Sequence, residues 1–134
     1  MIDVYTDGAT VGHNGKLGTV TQVGLGIYIP LASIRESRLC NGISSNEAEF
    51  MALIEAMKIC IDKKILSCRF NLDSEIVTNR AKGKHKKLKY RNERMDKFQG
   101  EVLQLACYFK DVEFNWIPRE HNEEADRLSK ELII

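Results

Sequence analysis

MIDVYTDGAT (residues 1–10) predicts a first β-strand that ends in a tight turn. Its side chains alternate between two faces, with Val4 and Thr6 on one of them, which is the period of two typical of a strand. We expect Asp7 at the carboxyl end of the strand and Gly8 in the turn, because glycine has no Cβ to obstruct a sharp bend. A carboxylate at that edge of a sheet is where α/β proteins tend to place their sites. Asp-Gly is also an ordinary turn pair, so later residues must decide its role.

The composition is that of one globular domain covering all 134 residues, with 43% hydrophobic and 29% charged residues. No apolar run approaches the ~18 residues that span a bilayer, so no membrane partner is expected. Because the chain begins with a predicted strand, no signal peptide is expected. The chain has four widely spaced cysteines without a Cys-x-x-Cys pair: Cys40, Cys60, Cys68 and Cys107. This spacing favours reduced thiols in a cytoplasmic protein over disulfides or a zinc site.

Positive charge is concentrated in one segment. The net charge is only +1, but residues 80–97 contain nine basic and two acidic residues. A basic lobe on an otherwise acidic body suits a polyanionic partner, although a solvated charged loop would have the same composition.

The remaining patterns predict a mixed α/β domain with the order β-β-β-α-β-α-α-β-α. A capping box of Ser44 and Glu47 opens the first helix, with Asn46 as another possible cap, and Asn122 is the predicted N-cap of the last helix. After the first strand we expect strands at about Val23–Ile29 and Arg35–Cys40, a helix from Ser44 to Lys63, a strand at Arg69–Asp73, helices at Ser74–Asn79 and Arg91–Tyr108, a strand at Val112–Ile117 and a helix at Glu123–Leu132. Trp116, in the last strand, is expected in the core.

Four carboxylates occupy positions that can converge. Asp7 and Asp73 each end a predicted strand, and Glu49 and Asp126 lie in the first turns of helices. If the first and fourth strands are parallel neighbours, their carboxyl ends bring Asp7 and Asp73 together. The helical acids have a simpler explanation in the helix dipole, and Asp73 in a cap, when each is considered singly.

Clustered carboxylates require cations, because like charges a few ångströms apart repel strongly at low dielectric. Ligands that are all oxygen favour Mg²⁺ or Mn²⁺ over zinc. Two such ions about 4 Å apart can stabilise the attacking and leaving oxygens of an in-line phosphoryl displacement.

The local sequences around these acids resemble the four signatures of type 1 ribonuclease H. They are TDGA with Asp7, NEAEFMA with Glu49, LDS with Asp73 and NEEADRL with Asp126. They occur in that family's order and at roughly its spacing over nearly the whole chain. Each motif alone is weak, but the four in register are specific.

The resemblance implies a five-stranded mixed sheet, with three antiparallel strands followed by two parallel ones, flanked by helices. The implied activity is hydrolysis of the RNA strand of an RNA–DNA hybrid with two Mg²⁺ or Mn²⁺ ions. Separately, the sequence shows no obligate protein partner, so a monomer is expected. Asp7, Glu49, Asp73 and Asp126 become catalytic metal ligands. One ion would activate the attacking water, and the other would stabilise the departing 3′ oxygen.

The resemblance also implies substrate contacts, through the shape of the hybrid and its 2′-hydroxyl groups. Ser45 and Asn46, after Ser44, match a groove-contacting polar run, and Ser74 lies beside Asp73. A further groove contact falls to Asn14 or His13, between which the sequence does not choose. The basic stretch occupies the place of the family's substrate-gripping protrusion, but it is shorter and lacks the tryptophans of the best-known bacterial members. Its candidate phosphate contacts are Lys84, Lys86, Lys87 and Lys89.

The segment before Asp126 departs from the family pattern. Many members place an assisting histidine in a longer Gly-rich loop, whereas this chain has a short loop with Arg119 and His121. His121 could move a proton or assist product release, Arg119 could contact substrate, and His121 could equally be an ordinary loop residue. The short loop and the altered groove residues keep another interpretation open, a catalytically weak ribonuclease-H-like module that binds nucleic acid or protein. A third is a related fold that cuts DNA, such as a junction resolvase or transposase core, which the Thr-Asp-Gly and Asp-Ser pairings fit less well.

Overall fold

A computed structural model describes residues 1–10, 21–83 and 93–133. Five strands form one sheet in the order β3-β2-β1-β4-β5. The β1–β2 and β2–β3 pairs are antiparallel, and the β1–β4 and β4–β5 pairs are parallel. The strands are β1 Ile2–Thr10, β2 Thr21–Ile29, β3 Ile34–Gly42, β4 Ser67–Leu72 and β5 Asp111–Trp116. The predicted mixed sheet is therefore confirmed.

Four helices and two short 3₁₀ turns complete the described chain. The helices are α1 Ser45–Asp62, α2 Glu75–Ala81, α3 Glu93–Ala106 and α4 Glu123–Glu131, and the 3₁₀ turns are Pro30–Ala32 and Arg119–His121. The Ser44 hydroxyl accepts the Glu47 N–H at 3.2 Å, so Ser44, and not Asn46, caps α1. No helix in these ranges is long and apolar enough to cross a membrane.

The main core lies between one face of the sheet and helices α1 and α3. Phe50 and Met57 of α1, Phe70 of β4 and Val102 of α3 are fully buried there. Met95, Phe98, Val102 and Leu105 recur at helical spacing along α3, and this stripe faces the core, with Phe98 and Leu105 partly buried at its edge. Helix α4 packs on the opposite face, where a Cβ on Gly26 would meet the α4 backbone. The two layers of helices therefore approach the sheet from opposite sides.

Two local predictions are wrong. The chain does not turn at Gly8, because β1 continues to Thr10 by pairing with β2 through Thr10↔Val23. Trp116 is not a core residue, because its side chain at the end of edge strand β5 is 47% exposed. Its ring N–H donates to the Asp73 carbonyl at 3.2 Å, so the indole is held at the surface beside the end of β4.

The basic segment is also less uniform than its composition suggests. Arg80 is only 4% exposed and bonds Asp96 and Gln99 within the fold. The Arg94 guanidinium donates through two nitrogens to the buried Glu47 carboxylate of α1. These two arginines therefore join helices. Lys84, Lys86, Lys87 and Lys89 lie outside the described residues, as do His13 and Asn14.

Candidate active site

Asp7 lies inside β1, just beyond the parallel part of the sheet. The last residue pair between β1 and β4 is Tyr5↔Asn71, whereas Asp7 is opposite Gly26 of β2. β1 thus carries Asp7 past the end of its parallel neighbour, to the edge where that neighbour stops. The carboxylate is 4% exposed, and its Oδ1 accepts the Gly8 N–H at 3.0 Å.

Glu49 reaches Asp7 because α1 lies directly on Gly8. A Cβ at Gly8 would lie 2.3 Å from the Ala48 carbonyl carbon and 2.6 Å from the Glu49 nitrogen. Only glycine permits this approach of helix to strand. The Gly8 N–H then donates to Glu49 Oε1 at 3.3 Å, and Glu49 is 6% exposed. The function of Gly8 is close packing, and not the turn that the sequence suggested.

Asp73 is the residue that follows β4, and contacts from the β5 side of the molecule hold it. Its backbone carbonyl accepts the Trp116 ring N–H, and its Oδ2 accepts the Asn122 amide at 3.0 Å. The Ile117 N–H extends the β4–β5 ladder by donating to the Leu72 carbonyl at 2.8 Å. The loop after β4 is therefore fixed at both its main chain and its carboxylate.

Asp126 lies in the first turn of α4, beside two cations. Lys130 Nζ is 3.2 Å from its carboxylate, and a guanidinium nitrogen of Arg119 is 3.7 Å away. Helix α4 comes close to the sheet because a Cβ at Gly26 would lie 2.1 Å from the Ala125 carbonyl oxygen. Gly26 is directly opposite Asp7, so this packing brings the start of α4 to Asp7.

The pKa values divide the carboxylates. Burial raises the pKa of Asp7 from 3.8 to about 6, and the charges of Asp73 and Asp126 act in the same direction. Burial, with the hydrogen bond and charge of Asp7, raises the pKa of Glu49 well above 4.5. Burial acts to raise the pKa of Asp126 too, but hydrogen bonds from Asp7 and Lys130 and the positive charge of Lys130 and Arg119 lower it overall.

The residues fit a divalent cation. Asp7, Glu49 and Asp73 each offer a carboxylate oxygen, and the three oxygens lie within 4.8 Å of one another. Glu49 Oε2 is buried without a hydrogen-bond partner among the described residues. A cation would supply both the missing partner and the missing charge. A donor set of oxygens alone suits Mg²⁺ or Mn²⁺.

An open cleft of about 410 Å³ surrounds the cluster. It is lined by the four carboxylates and by the four predicted substrate contacts that the structure describes, namely Ser45, Asn46, Ser74 and Arg119, together with Lys130. His121 instead lines a separate cleft with Tyr5, Tyr28 and Pro30. The structure thus brings Asp126 and Arg119 to the carboxylates, and leaves His121 apart from them.

Two residues at the site were missed by the sequence interpretation. Lys130 lies four residues after Asp126, the spacing that places two side chains on one helix face, so the pair could have been found. Asn122 is at the predicted N-cap position, but its side chain caps no N–H of α4 in the described structure and bonds Asp73 instead. Sequence offers no signal for this, because the partner is 49 residues away.

Three features together define the class of ribonuclease-H-like folds. They are the strand order, the crossover through helix α1 that leads into β4, and a carboxylate cluster contributed by β1, α1 and the end of β4. Comparisons with known proteins agree. A family model described as reverse transcriptase-like matches residues 31–132. The Enterococcus faecalis protein EbsB, whose description proposes a hydrolase, is 31% identical over 99% of this chain and 94% of its own length.

Solved structures show the same fold. Ribonuclease H1 of the archaeon Halobacterium salinarum superposes with a TM-score of 0.80 at 23% identity, covering 97% of this chain and 95% of that one. LC11 ribonuclease H1, isolated from compost and solved with an RNA/DNA hybrid, superposes with a TM-score of 0.70 at 25% identity, covering 99% and 96%. The chain belongs to the ribonuclease-HI-like family.

Proposed function

We propose that this protein is a metal-dependent endonuclease that hydrolyses the RNA strand of RNA–DNA hybrids. One observation carries the proposal: Asp7, Glu49 and Asp73 converge in an open polar cleft on the fold of ribonuclease H. The hybrid bound by LC11 ribonuclease H1 supports the choice of substrate.

Asp7, Glu49 and Asp73 would hold the metal, with Asp126 as the fourth carboxylate at the edge of the cluster. Divalent ions bound there, two of them in the presence of substrate, would supply an activated water and stabilise the leaving oxygen. Asp7 and Glu49 are buried away from bulk water. A cation would therefore be attracted to their carboxylates more strongly than to exposed ones. Gly8 contributes by donating its N–H to both carboxylates, which fixes their orientation.

The substrate would lie in the same cleft. Ser45, Asn46 and Ser74 offer hydroxyl and amide groups there, suited to 2′-hydroxyl and sugar contacts in a hybrid groove. Arg119 and Lys130 place positive charge beside Asp126. A substrate phosphate could replace the Asp126 carboxylate as the ion-pair partner of these two side chains. Lys84, Lys86, Lys87, Lys89 and Asn14 remain proposed contacts from sequence alone.

His121 is a weaker candidate. It lies in a different cleft from the carboxylates, so a direct proton transfer at the reacting phosphate has no support from its position. Arg119, in the same 3₁₀ turn, is the residue of this segment that lines the carboxylate cleft.

We further propose a cytoplasmic monomer formed by a single domain. All four cysteines are free, and Cys60 and Cys68 are buried. Free thiols fit a reducing compartment. Light scattering of the purified chain would measure its mass in solution, and a mass of twice 15.3 kDa would contradict the monomer.

The test is a cleavage assay on a hybrid with a labelled RNA strand, in Mg²⁺ or Mn²⁺, compared with Asp7→Asn. Asp3→Asn is the matched control, because Asp3 lies on the same strand but pairs with Arg69 outside the cleft. Wild type and Asp3→Asn should cut the RNA strand internally and leave the DNA strand intact, and Asp7→Asn should not cut. Activity that survives in Asp7→Asn would reject this site. Hybrid binding without cleavage by wild type would instead favour a non-catalytic binding module.

A further inference from the structure

Asn122 is a buried side chain that the proposed chemistry does not use directly. It is 1% exposed and does not line the carboxylate cleft. Its Nδ2 donates to the Thr6 carbonyl at 2.9 Å and to Asp73 Oδ2 at 3.0 Å. One amide group therefore joins the main chain next to Asp7 to the carboxylate of Asp73.

Chemistry sets the orientation of this amide. A carbonyl oxygen and an ionised carboxylate only accept hydrogen bonds, and the NH₂ group of asparagine has two donors. No other orientation of the Asn122 amide would satisfy both partners. Neither aspartate nor alanine at this position could donate to them.

The main chain of Asn122 adds a third connection. Its carbonyl accepts the Asp126 N–H at 3.0 Å, as the first hydrogen bond of α4. Asn122 thus contacts the residue before Asp7, the side chain of Asp73 and the backbone of Asp126. These carboxylates come from β1, the loop after β4 and α4, which are far apart in the sequence.

Asp73 depends on such a contact more than the buried acids Asp7 and Glu49 do. Asp7 is built into a paired strand, and Glu49 into a helix packed on Gly8. Asp73 lies beyond its strand, and Trp116 holds only its carbonyl. Without Asn122, rotation of the Asp73 side chain would be less restricted and its ligand oxygen less well placed.

We infer that Asn122 is the positioning residue of the metal site and acts by holding the Asp73 carboxylate against Asp7. The inference rests on the proposed function for its place in catalysis, but it can be tested with Mn²⁺ alone. Loss of a residue that orients a metal ligand typically weakens metal binding by about 10–100-fold.

The experiment measures Mn²⁺ affinity of the free protein by calorimetry for wild type, Asn122→Ala and Asn122→Asp. Asn115→Ala is the matched control, because the side-chain amide of Asn115 also donates a hydrogen bond, here from β5 to Asn71 Oδ1 of β4 at 3.0 Å, but away from the cleft. Asn122→Ala should lose about 10–100-fold in affinity, and Asn115→Ala less than about threefold. Asn122→Asp should lose at least as much affinity as Asn122→Ala. An ionised carboxylate cannot donate to the Thr6 carbonyl or to the Asp73 carboxylate, and it would repel both.

A double-variant cycle separates positioning from general destabilisation. If Asn122 acts through Asp73, Asn122→Ala should cost little further affinity in an Asp73→Asn background. Circular dichroism identifies the variants that fold, and Asn122→Leu, which keeps a branched side chain but has no donor, replaces Asn122→Ala if the latter does not. Unchanged affinity in the folded Asn122 variants, or an equal loss with and without Asp73, would overturn the inference alone. A wild type that binds no Mn²⁺ would overturn the proposed metal site as well.

Discussion

Two groups among the four carboxylates of the cleft, the pair Asp7 and Glu49 and the single residue Asp126, differ in how their charge is balanced. Asp7 and Glu49 are buried, their pKa values are raised, and Glu49 has an oxygen without a partner among the described residues. Asp126 is more open, its pKa is lowered, and Lys130 and Arg119 already neutralise it. Among the described residues, lysine and arginine pair with Asp126 and not with Asp7 or Glu49.

This contrast shows where a metal ion gains most. A cation bound at Asp7 and Glu49 would offset the repulsion between their carboxylates and the cost of burying their charge, which no described lysine or arginine offsets. Binding at Asp126 must displace or share Lys130 and Arg119. We therefore expect the buried pair to dominate metal binding and Asp126 to tune it.

The largest expected effect is on catalysis by the buried pair. Glu49→Gln should lower hybrid cleavage on the order of a thousandfold, because it removes a charged ligand from a buried site. Asp126→Asn should lose only about tenfold, since its charge is already balanced and its amide oxygen can still bind a cation. Initial rates in Mg²⁺ measure both. Glu55→Gln on the same helix, outside the cleft, is the control. Equal losses for Glu49 and Asp126 would erase the distinction.

A second change tests the packing that brings the two groups together. Gly26→Ala places a Cβ against the α4 backbone, which must move, so we expect a loss of about 3 kcal/mol in the free energy of unfolding. Gly100→Ala in α3 meets no atom within 4 Å and should be neutral or stabilising by up to about 1 kcal/mol. Urea denaturation measures both. A fully stable Gly26→Ala protein would show that α4 does not rest on β2 as described.

The third prediction concerns stability without metal. The pKa of Asp7 is higher in the folded chain than its ordinary value of 3.8, so its contribution to stability is complete below that value and is lost as pH rises through about 6. Asp7→Asn should therefore be more stable than wild type by about 2 kcal/mol at pH 8 in EDTA, and nearly equal to it at pH 3.5. Urea titrations at the two pH values decide this. A variant less stable than wild type at pH 8 would contradict the raised pKa.

The smallest effect is expected for the cations of Asp126. Lys130→Ala should weaken hybrid binding a few-fold at low salt and reduce the salt dependence by about one phosphate contact. Lys58→Ala is matched in exposure, 50% against 52%, and its lysine lies outside the cleft. Fluorescence anisotropy over a salt series compares them. Identical salt slopes for the two variants would remove Lys130 from the interface.

Sequence was informative wherever periodicity or a motif determined the structure. The alternation in β1, the capping box at Ser44 and the buried stripe of α3 follow directly from spacing. The four acids were found because each has a local motif and parallel strands end at a common edge. These features depend on neighbours in the chain, which a sequence displays.

The errors share a different cause. A glycine at position 8 would be needed either for a turn or for a close contact between a helix and a strand. Only the position of Ala48 distinguishes the two roles. Trp116 is apolar enough for the core, but its strand is at the sheet edge and its ring N–H binds the end of β4. Asn122 is a residue type that commonly caps helices, but its side chain instead links distant segments of the chain. Each outcome depends on partners that are remote in sequence.

The contact at Gly26 has a consequence for how this protein can change. Because main-chain atoms of α4 lie directly on β2 there, any side chain at position 26 would push the helix of Asp126 away from the sheet that carries Asp7. Phe50 and Met57 lie in the core on the other face of the sheet, so substitutions of these residues would add no volume at this contact. Efforts to raise thermal tolerance should therefore vary the apolar interior and leave this backbone-on-backbone junction unchanged.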